Sequence, residues 1–187
     1  AEHITCMTKL YMKTEQSDSM PFYAFTDMKS MQDGWDRATV FNNGVQEVVS
    51  AYRSTSIKRE IWPTHYPEIC NYIVDLIHKW DPGLDPSDYC VGEFNYLKYK
   101  KGDHFIWHSD YVPGSPRWFS TTTIVDRSDD LVGGDIVMLD AETEMEVAVE
   151  MKQGDTIFFS SETPHMITPV EQGTREVLVT WIWKKNI

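Results

Sequence analysis

YKKGDHFIWHSD, residues 99–110, is the stretch on which the reading of this chain turns. Lys-Lys-Gly-Asp is turn chemistry. His104 to Asp110 then reads as a strand in which apolar Phe105, Ile106 and Trp107 lead straight into His108. In an extended segment, side chains at i and i+2 share a face. The spacing predicts that His108 and Asp110 project together, an imidazole beside a carboxylate at one strand end, and it gives His104 the same parity. A His-x-Asp pair is common by chance, so its weight comes from the surrounding segments.

On the C-terminal side the pattern is strand after strand. Candidates are residues 89–99, 104–110, 118–125, 135–139, 144–149, 156–159, 165–170 and 175–183, separated by KKGD, PGSP, DRSDDLVGG, DAET, KQGD and EQG. Many short strands at regular spacing with turn chemistry between them predict a mainly β sandwich or barrel. In the last of them Arg175, Val177, Val179, Trp181 and Trp183 alternate onto one face, with Thr174, Glu176, Leu178, Thr180 and Ile182 on the other. Arg175 thus shares a face with large apolar residues. A buried guanidinium is costly unless paired, and no acidic residue close in sequence is an obligatory partner. An anionic ligand would supply one, best a carboxylate held by the two-pronged fork of the guanidinium.

On the N-terminal side, THYPEICNYIVDLIHKW (64–80) carries Ile69, Ile73, Leu76, Ile77 and Trp80 at helical spacing. DPGLDP stops this helix, which is expected to cover one face of a sheet. HITCMTKLYM has partial alternation and reads as a strand; TEQSDSMPFYAF reads as a loop. Asn42-Asn43-Gly44 marks a turn between two strand-like runs, with a helix through residues 45–50 as the competitor. No repeat or linker divides the chain. The expectation is a single domain over residues 1–187, with N-terminal strands and helices over about 1–88 and a β core over about 89–187.

Twenty-five percent of the 187 residues are charged, and the net charge is -12. That field disfavours nucleic acid and anionic membrane as partners, since the one basic run, KYKK at 98–101, is short. Cys6, Cys70 and Cys90 are odd in number and form no CxxC, which suits free thiols in a reducing compartment. No apolar run reaches the ~20 residues of a membrane span, and AEHITCMTKL lacks a signal-peptide core. A cytoplasmic protein is the expectation.

Two His and one Asp form the donor set of non-haem Fe(II) oxygenases, which leaves metal positions open for ligands. His165, in SSETPHMITPV, is the candidate third ligand to join His108 and Asp110; the EQG turn is expected to set its strand beside that of Arg175. Tyr99 shares inward parity with Leu97, and it serves either as core, with its hydroxyl satisfied by a neighbour, or as a hydrogen-bond donor to the anion of Arg175. His104, His65, His78 and His3 read as surface or packing residues.

With these residues in place, the chain resembles the Fe(II)/2-oxoglutarate-dependent dioxygenases, specifically their prolyl 4-hydroxylase-like branch. The branch pattern Y-x-x-G-x-x-[YF]-x-x-H-x-D is met by Tyr99, Gly102, Phe105, His108 and Asp110. GGDIVML (133–139) and QGDTIFFSS (153–161) follow in order, then His165, Pro169, Val170, Gly173 and Arg175, and YRSTSIKREIW (52–62) is similar to an upstream RxS segment. The resemblance covers about residues 50–183. It implies a double-stranded β-helix (jelly roll) with supporting helices, and Fe(II) on His108, Asp110 and His165. It also implies 2-oxoglutarate chelating the iron, with its far carboxylate on Arg175 and Tyr99, O2 as oxidant, and ascorbate as a candidate additional cofactor. The implied reaction releases succinate and CO2 and hydroxylates a prolyl residue in a protein or peptide, or alternatively a free amino acid or other small molecule. Tyr111, Arg117 and Trp118, in YVPGSPRWF, are candidate substrate contacts. Three residues depart from the common pattern: Arg175 where many prolyl hydroxylases have Lys, Phe105 for the commoner Tyr, and Asp135 for Glu. The nucleic-acid demethylase branch carries a second Arg where this chain has Trp181. A zinc hydrolase on the same ligands, which would give Arg175 no role, and a non-catalytic jelly-roll module are the competing readings.

Overall fold

The computed structural model describes residues 9–15, 20–30, 34–42, 45–58 and 61–185. The N-terminal half runs β1 (Met12–Thr14), α1 (Phe22–Ser30), β2 (Trp35–Arg37), β3 (Val40–Asn42), β4 (Val45–Glu47), β5 (Arg53–Ser54), β6 (Ser56–Lys58) and α2 (Pro67–Trp80). The C-terminal half is all strand: β7 (Tyr89–Lys100), β8 (His104–His108), β9 (Arg117–Arg127), β10 (Val132–Gly133), β11 (Ile136–Asp140), β12 (Met145–Val149), β13 (Thr156–Ser160), β14 (His165–Ile167), β15 (Val170–Gln172) and β16 (Thr174–Lys184). A seven-stranded antiparallel sheet, in the order β1-β13-β9-β16-β7-β6-β2, faces a five-stranded one, β12-β11-β14-β8-β5. This is the mainly β architecture that the strand pattern led one to expect, in the jelly-roll form with supporting helices that the resemblance implies. The N-terminal strands complete both sheets, as β1, β2 and β6 extend the larger and β5 edges the smaller.

Period-2 alternation sorts each long strand between two cores. Leu97, Tyr99, Ile157, Phe159 and Val177 meet Ile136, Met138 and Ile167 of the smaller sheet in the space between the sheets. Phe94, Tyr96, Phe158, Leu178 and Ile182 point the other way, under the helices. There α2 lays down the predicted stripe, Ile69, Ile73, Leu76, Ile77 and Trp80, joined by Tyr72. The helix begins at Pro67, preceded by a 3-10 turn over Pro63–His65, because proline favours the first helical position and disfavours helix in the residue before it.

Several sequence expectations are corrected. Part of TEQSDSMPFYAF is helix, not loop: α1 starts after Pro21, buries Ala24, Phe25 and Met28, and turns Phe22 and Tyr23 outward. Those exposed aromatics break the apolar stripe, and packing on the sheet decides the outcome. Lys58 holds the end of α1, its Nζ donating to the Met28 carbonyl at 2.9 Å. HITCMTKLYM lies partly outside the described residues, and its described end enters β1. Residues 43–44 of the expected turn lie outside the described residues, but β3 and β4 pair antiparallel with Asn42 opposite Val45, so residues 45–47 are strand and not helix. The predicted 165–170 strand is two strands in different sheets, broken at Thr168-Pro169, where proline has no N–H to give. The EQG turn therefore does not set His165 and Arg175 side by side. β14 lies in the smaller sheet and β16 in the larger, so the two residues approach from opposite layers.

Candidate metal centre and anion pocket

The site is assembled at one mouth of the space between the sheets, in a cavity of about 600 Å³. The turn of the 99–110 stretch is secured first. Gly102 takes φ +88°, a conformation open to glycine, and donates its N–H to the Val170 carbonyl at 2.8 Å. Asp103 closes the loop, accepting from the Lys100 N–H at 3.0 Å and the Ser54 hydroxyl at 2.7 Å.

β8 then departs from the regular alternation. Its pairing with β14 sets His108 opposite His165 and Phe105 opposite Ile167, three residues against two, which is a β-bulge. The extra residue moves Phe105 onto the face of His108, and both line the cavity, whereas His104 does not. His104 instead bonds the carbonyls of Gly102 and Ala51. The strand also ends at His108, so Asp110 is not its i+2 neighbour on a strand. Asp110 reaches the site from the following bend, which the Tyr111 N–H pins to the Ser161 carbonyl at 2.8 Å.

His108, Asp110 and His165 present one donor atom each, all within 4.8 Å of one another. Each imidazole Nε2 lies 3.8 Å from an Asp110 oxygen. The His108 Nδ1 is 2.7 Å from the Ile106 carbonyl and the His165 Nδ1 is 2.9 Å from the Thr163 carbonyl. A carbonyl only accepts, so each Nδ1 carries the proton and each Nε2 lone pair faces Asp110, as a metal ligand requires. Burial, with His165 adding to it, pushes the His108 pKa down to about 3 against the pull of Asp110. Burial alone would raise the Asp110 pKa, but His165, His108 and the Ser120 hydroxyl outweigh it and hold the carboxyl below its usual range. Ser120 Oγ donates to Asp110 at 2.7 Å and lies 3.0 Å from Ser161 Oγ. The donor set, tautomers and charge fit a divalent cation with open positions.

Arg175 sits deeper, 3% exposed and opposite Tyr99 in the β16–β7 ladder. The centre of its guanidinium is 5.3 Å from the centre of the Tyr99 ring. Its Nη1 donates to the Gly134 carbonyl, while Nε and Nη2 have no hydrogen-bond partner among the described residues. Burial holds its pKa below the ordinary value, against Tyr99 and Asp135. Arginine nevertheless stays protonated in proteins, so two cationic N–H groups are left for an anion to satisfy. Gly134 (φ +69°) permits the approach: a Cβ there would lie 2.9 Å from Val170 Cγ2 and 3.2 Å from Arg175 Cδ.

Among the candidate substrate contacts, Tyr111 and Arg117 line the cavity and Trp118 does not. Trp118 packs on Phe119, with ring centres 4.5 Å apart, beside the helix-covered core. Arg117 donates to the Asp110 carbonyl at 3.3 Å, pairs with Glu93 at 3.4 Å and lies 3.7 Å over the Trp181 ring. Val177, Val179 and Trp181 share the cavity with Arg175, as β16 parity predicts. Trp183 leaves it at a bulge after Trp181 and lies over Gly92. Sequence reasoning left out Ser120, Glu93 and Asn95, which lack a local signal, and gave Arg53, in the RxS segment, no role.

Residues 94–183 match the 2OG-Fe(II) oxygenase superfamily model. A PKHD-type hydroxylase of Colwellia psychrerythraea is 38% identical over 63 residues, 34% of this chain and 27% of that protein. One from a Janthinobacterium species is 30% identical over 105 residues, 52% of this chain and 45% of that protein. The chain thus spans less than half the length of these curated relatives. The crystal structure of a Pseudomonas putida prolyl-4-hydroxylase superposes with a TM-score of 0.72 at 18% identity, over 95% of this chain and 94% of that one. A Trichoplax adhaerens prolyl hydroxylase, solved with a hypoxia inducible factor peptide fragment, gives 0.68 at 14%, over 95% and 84%. Residues 94–183, which hold His108, Asp110, His165 and Arg175, thus carry a 2OG-Fe(II) oxygenase domain, and the chain is similar in sequence to PKHD-type hydroxylases and in fold to prolyl hydroxylases.

Proposed function

We propose that this chain is an Fe(II)- and 2-oxoglutarate-dependent dioxygenase that hydroxylates prolyl residues in a protein or peptide, releasing succinate and CO2. The observation that carries the reading is that a His-Asp-His donor set and a buried arginine with two unpartnered N–H groups open into one cavity. In this reading His108, Asp110 and His165 hold Fe(II), Arg175 pairs with the far carboxylate of 2-oxoglutarate, and Tyr99 closes over that pair. When bound, the iron supplies the oxygen activation. The protein's part is to orient the co-substrate through Arg175, to hold both imidazoles by Nδ1 so that each Nε2 is turned to the metal position, and to exclude water with Val177, Val179 and Trp181. A zinc hydrolase would leave the Arg175 guanidinium without a purpose.

A peptide substrate is supported by the rim, where Tyr52, Ile106, Trp107 and Tyr111 are exposed beside the cavity and offer apolar surface outside it for a chain to lie on. The prolyl-hydroxylase neighbour solved with a peptide fits the same reading. Arg117 and Tyr111 then contact the substrate. The test is anaerobic addition of Fe(II) and 2-oxoglutarate, followed through the visible metal-to-ligand charge-transfer band, then mass spectrometry of proline-rich peptides after turnover in O2. A band together with one added oxygen on proline supports the whole reading. A band with no peptide product, and hydroxylation of a free amino acid instead, moves the substrate to the small-molecule class. Metal binding without the band removes the oxygenase reading.

A further inference from the structure

The β8 bulge stacks a column of side chains on the first imidazole of the triad. The Phe105 ring lies 3.5 Å from the His108 ring, centre to centre, at an interplanar angle of 18°. On Phe105 rests the Arg53 guanidinium, 4.6 Å from the ring centre, and Arg53 is tied by Nη1 to the Thr39 carbonyl at 3.2 Å. The other aromatic neighbours of the triad do not lie flat. Phe159 meets His165 edge-on at 5.0 Å and 71°, and the two imidazoles are tilted by 55°.

Two constraints are needed to aim an imidazole. The bond from Nδ1–H to the Ile106 carbonyl anchors one corner of the His108 ring, yet the second side-chain torsion of histidine is broad. A parallel aromatic face removes the remaining rotation. Arg53 pairs with Phe105 across the β5–β8 ladder as well as through its side chain, so the column has its own support.

We propose that Phe105, held from behind by Arg53, is the positioning residue of the His108 ligand, setting the ring plane in which Nε2 meets the metal. The proposal rests on the metal-centre reading above. It assigns the aromatic at this position a purpose that needs only its face, so the hydroxyl of the commoner tyrosine is dispensable for it.

The test uses Co(II) alone as the probe, with its visible ligand-field bands as a readout independent of turnover. Phe105→Leu keeps most of the volume and removes the flat face; Phe105→Tyr keeps the face. Phe105→Leu is expected to weaken Co(II) binding by about tenfold or more, the range seen when groups orienting metal ligands are removed, and to shift the bands, with Phe105→Tyr within about twofold of the parent. Arg53→Met is expected to give a smaller loss in the same direction. A melting curve for each variant confirms the fold. Phe105→Leu binding Co(II) as tightly as the parent with superimposable bands would overturn the inference, as would Phe105→Tyr failing as badly as Phe105→Leu. His108→Ala separates this from failure of the metal reading: if it too keeps parental binding, the centre itself is misassigned.

Discussion

Replacing Arg175 with methionine tests the anion pocket through two effects of opposite sign. With no ligand bound, the buried guanidinium has Nε and Nη2 unsatisfied and one bond to the Gly134 carbonyl. Burying an ion costs several kcal/mol even after relaxation, and losing the donor to Gly134 costs about 1–3 kcal/mol. Arg175→Met, similar in length and uncharged, should therefore leave the ligand-free protein about 1–2 kcal/mol more stable by the balance of those terms. At about 2–4 °C per kcal/mol for a chain of this size, that rise is readable by calorimetry. Binding moves the other way. Two charge-assisted hydrogen bonds at about 1.5–3 kcal/mol each, taken as less than additive, sum to roughly 3–4 kcal/mol. The Kd for 2-oxoglutarate should rise on the order of 100- to 1,000-fold. The assay is isothermal titration with Mn(II) in place of Fe(II), so that no turnover occurs. An unchanged Kd would refute the carboxylate assignment. A fall in ligand-free stability would refute the argument that the guanidinium is unpaired.

Gly134→Ala should lower stability by about 1–3 kcal/mol, since it forces a side chain onto a positive φ, and should weaken 2-oxoglutarate binding by displacing Arg175; thermal melts and the same titration check both. His108→Ala and Asp110→Ala should abolish Fe(II)-dependent turnover and the charge-transfer band with the far-ultraviolet dichroism retained; a surviving band would remove those residues from the ligand set. Arg117→Met should raise the KM for peptide, while Trp118→Ala, off the cavity, should lower the melting temperature and leave KM unchanged; steady-state kinetics with melts separates the two. Burial pushes the Cys70 thiol up to about 11, so in the native protein at neutral pH it should alkylate slowly with iodoacetamide, by peptide mass spectrometry, and quickly once unfolded; rapid native labelling would contradict that environment.

Regular alternation made the fold legible. In β16 the sides of Arg175, Val177, Val179 and Trp181 follow directly from a period of two, and α2 follows from a period near 3.6, because both are set by backbone geometry that any local window carries. The candidate site was legible as a set of residue types: His108, Asp110, His165 and Arg175 stood out because metal and carboxylate chemistry admits few side chains, and the fold brings all four to one cavity. What a local window does not carry is the accommodation between strands. The bulge in β8, forced by pairing His108 with His165 and Phe105 with Ile167, took His104 off the cavity face and put Phe105 on it. The break at Thr168-Pro169 sent β14 and β15 to different sheets, and Ser120, ten residues from Asp110, became its hydrogen-bond partner only because β9 passes beneath it. α1 exists because Ala24, Phe25 and Met28 find a sheet to cover, although their pattern is too short to announce a helix. From sequence alone, then, come a mainly β sandwich or barrel, its jelly-roll form through the family resemblance, and the candidate metal donors and buried cation. Tertiary structure decided which face each donor reaches and which neighbours orient it, since register and bulges depend on the partner strand as much as on the strand itself.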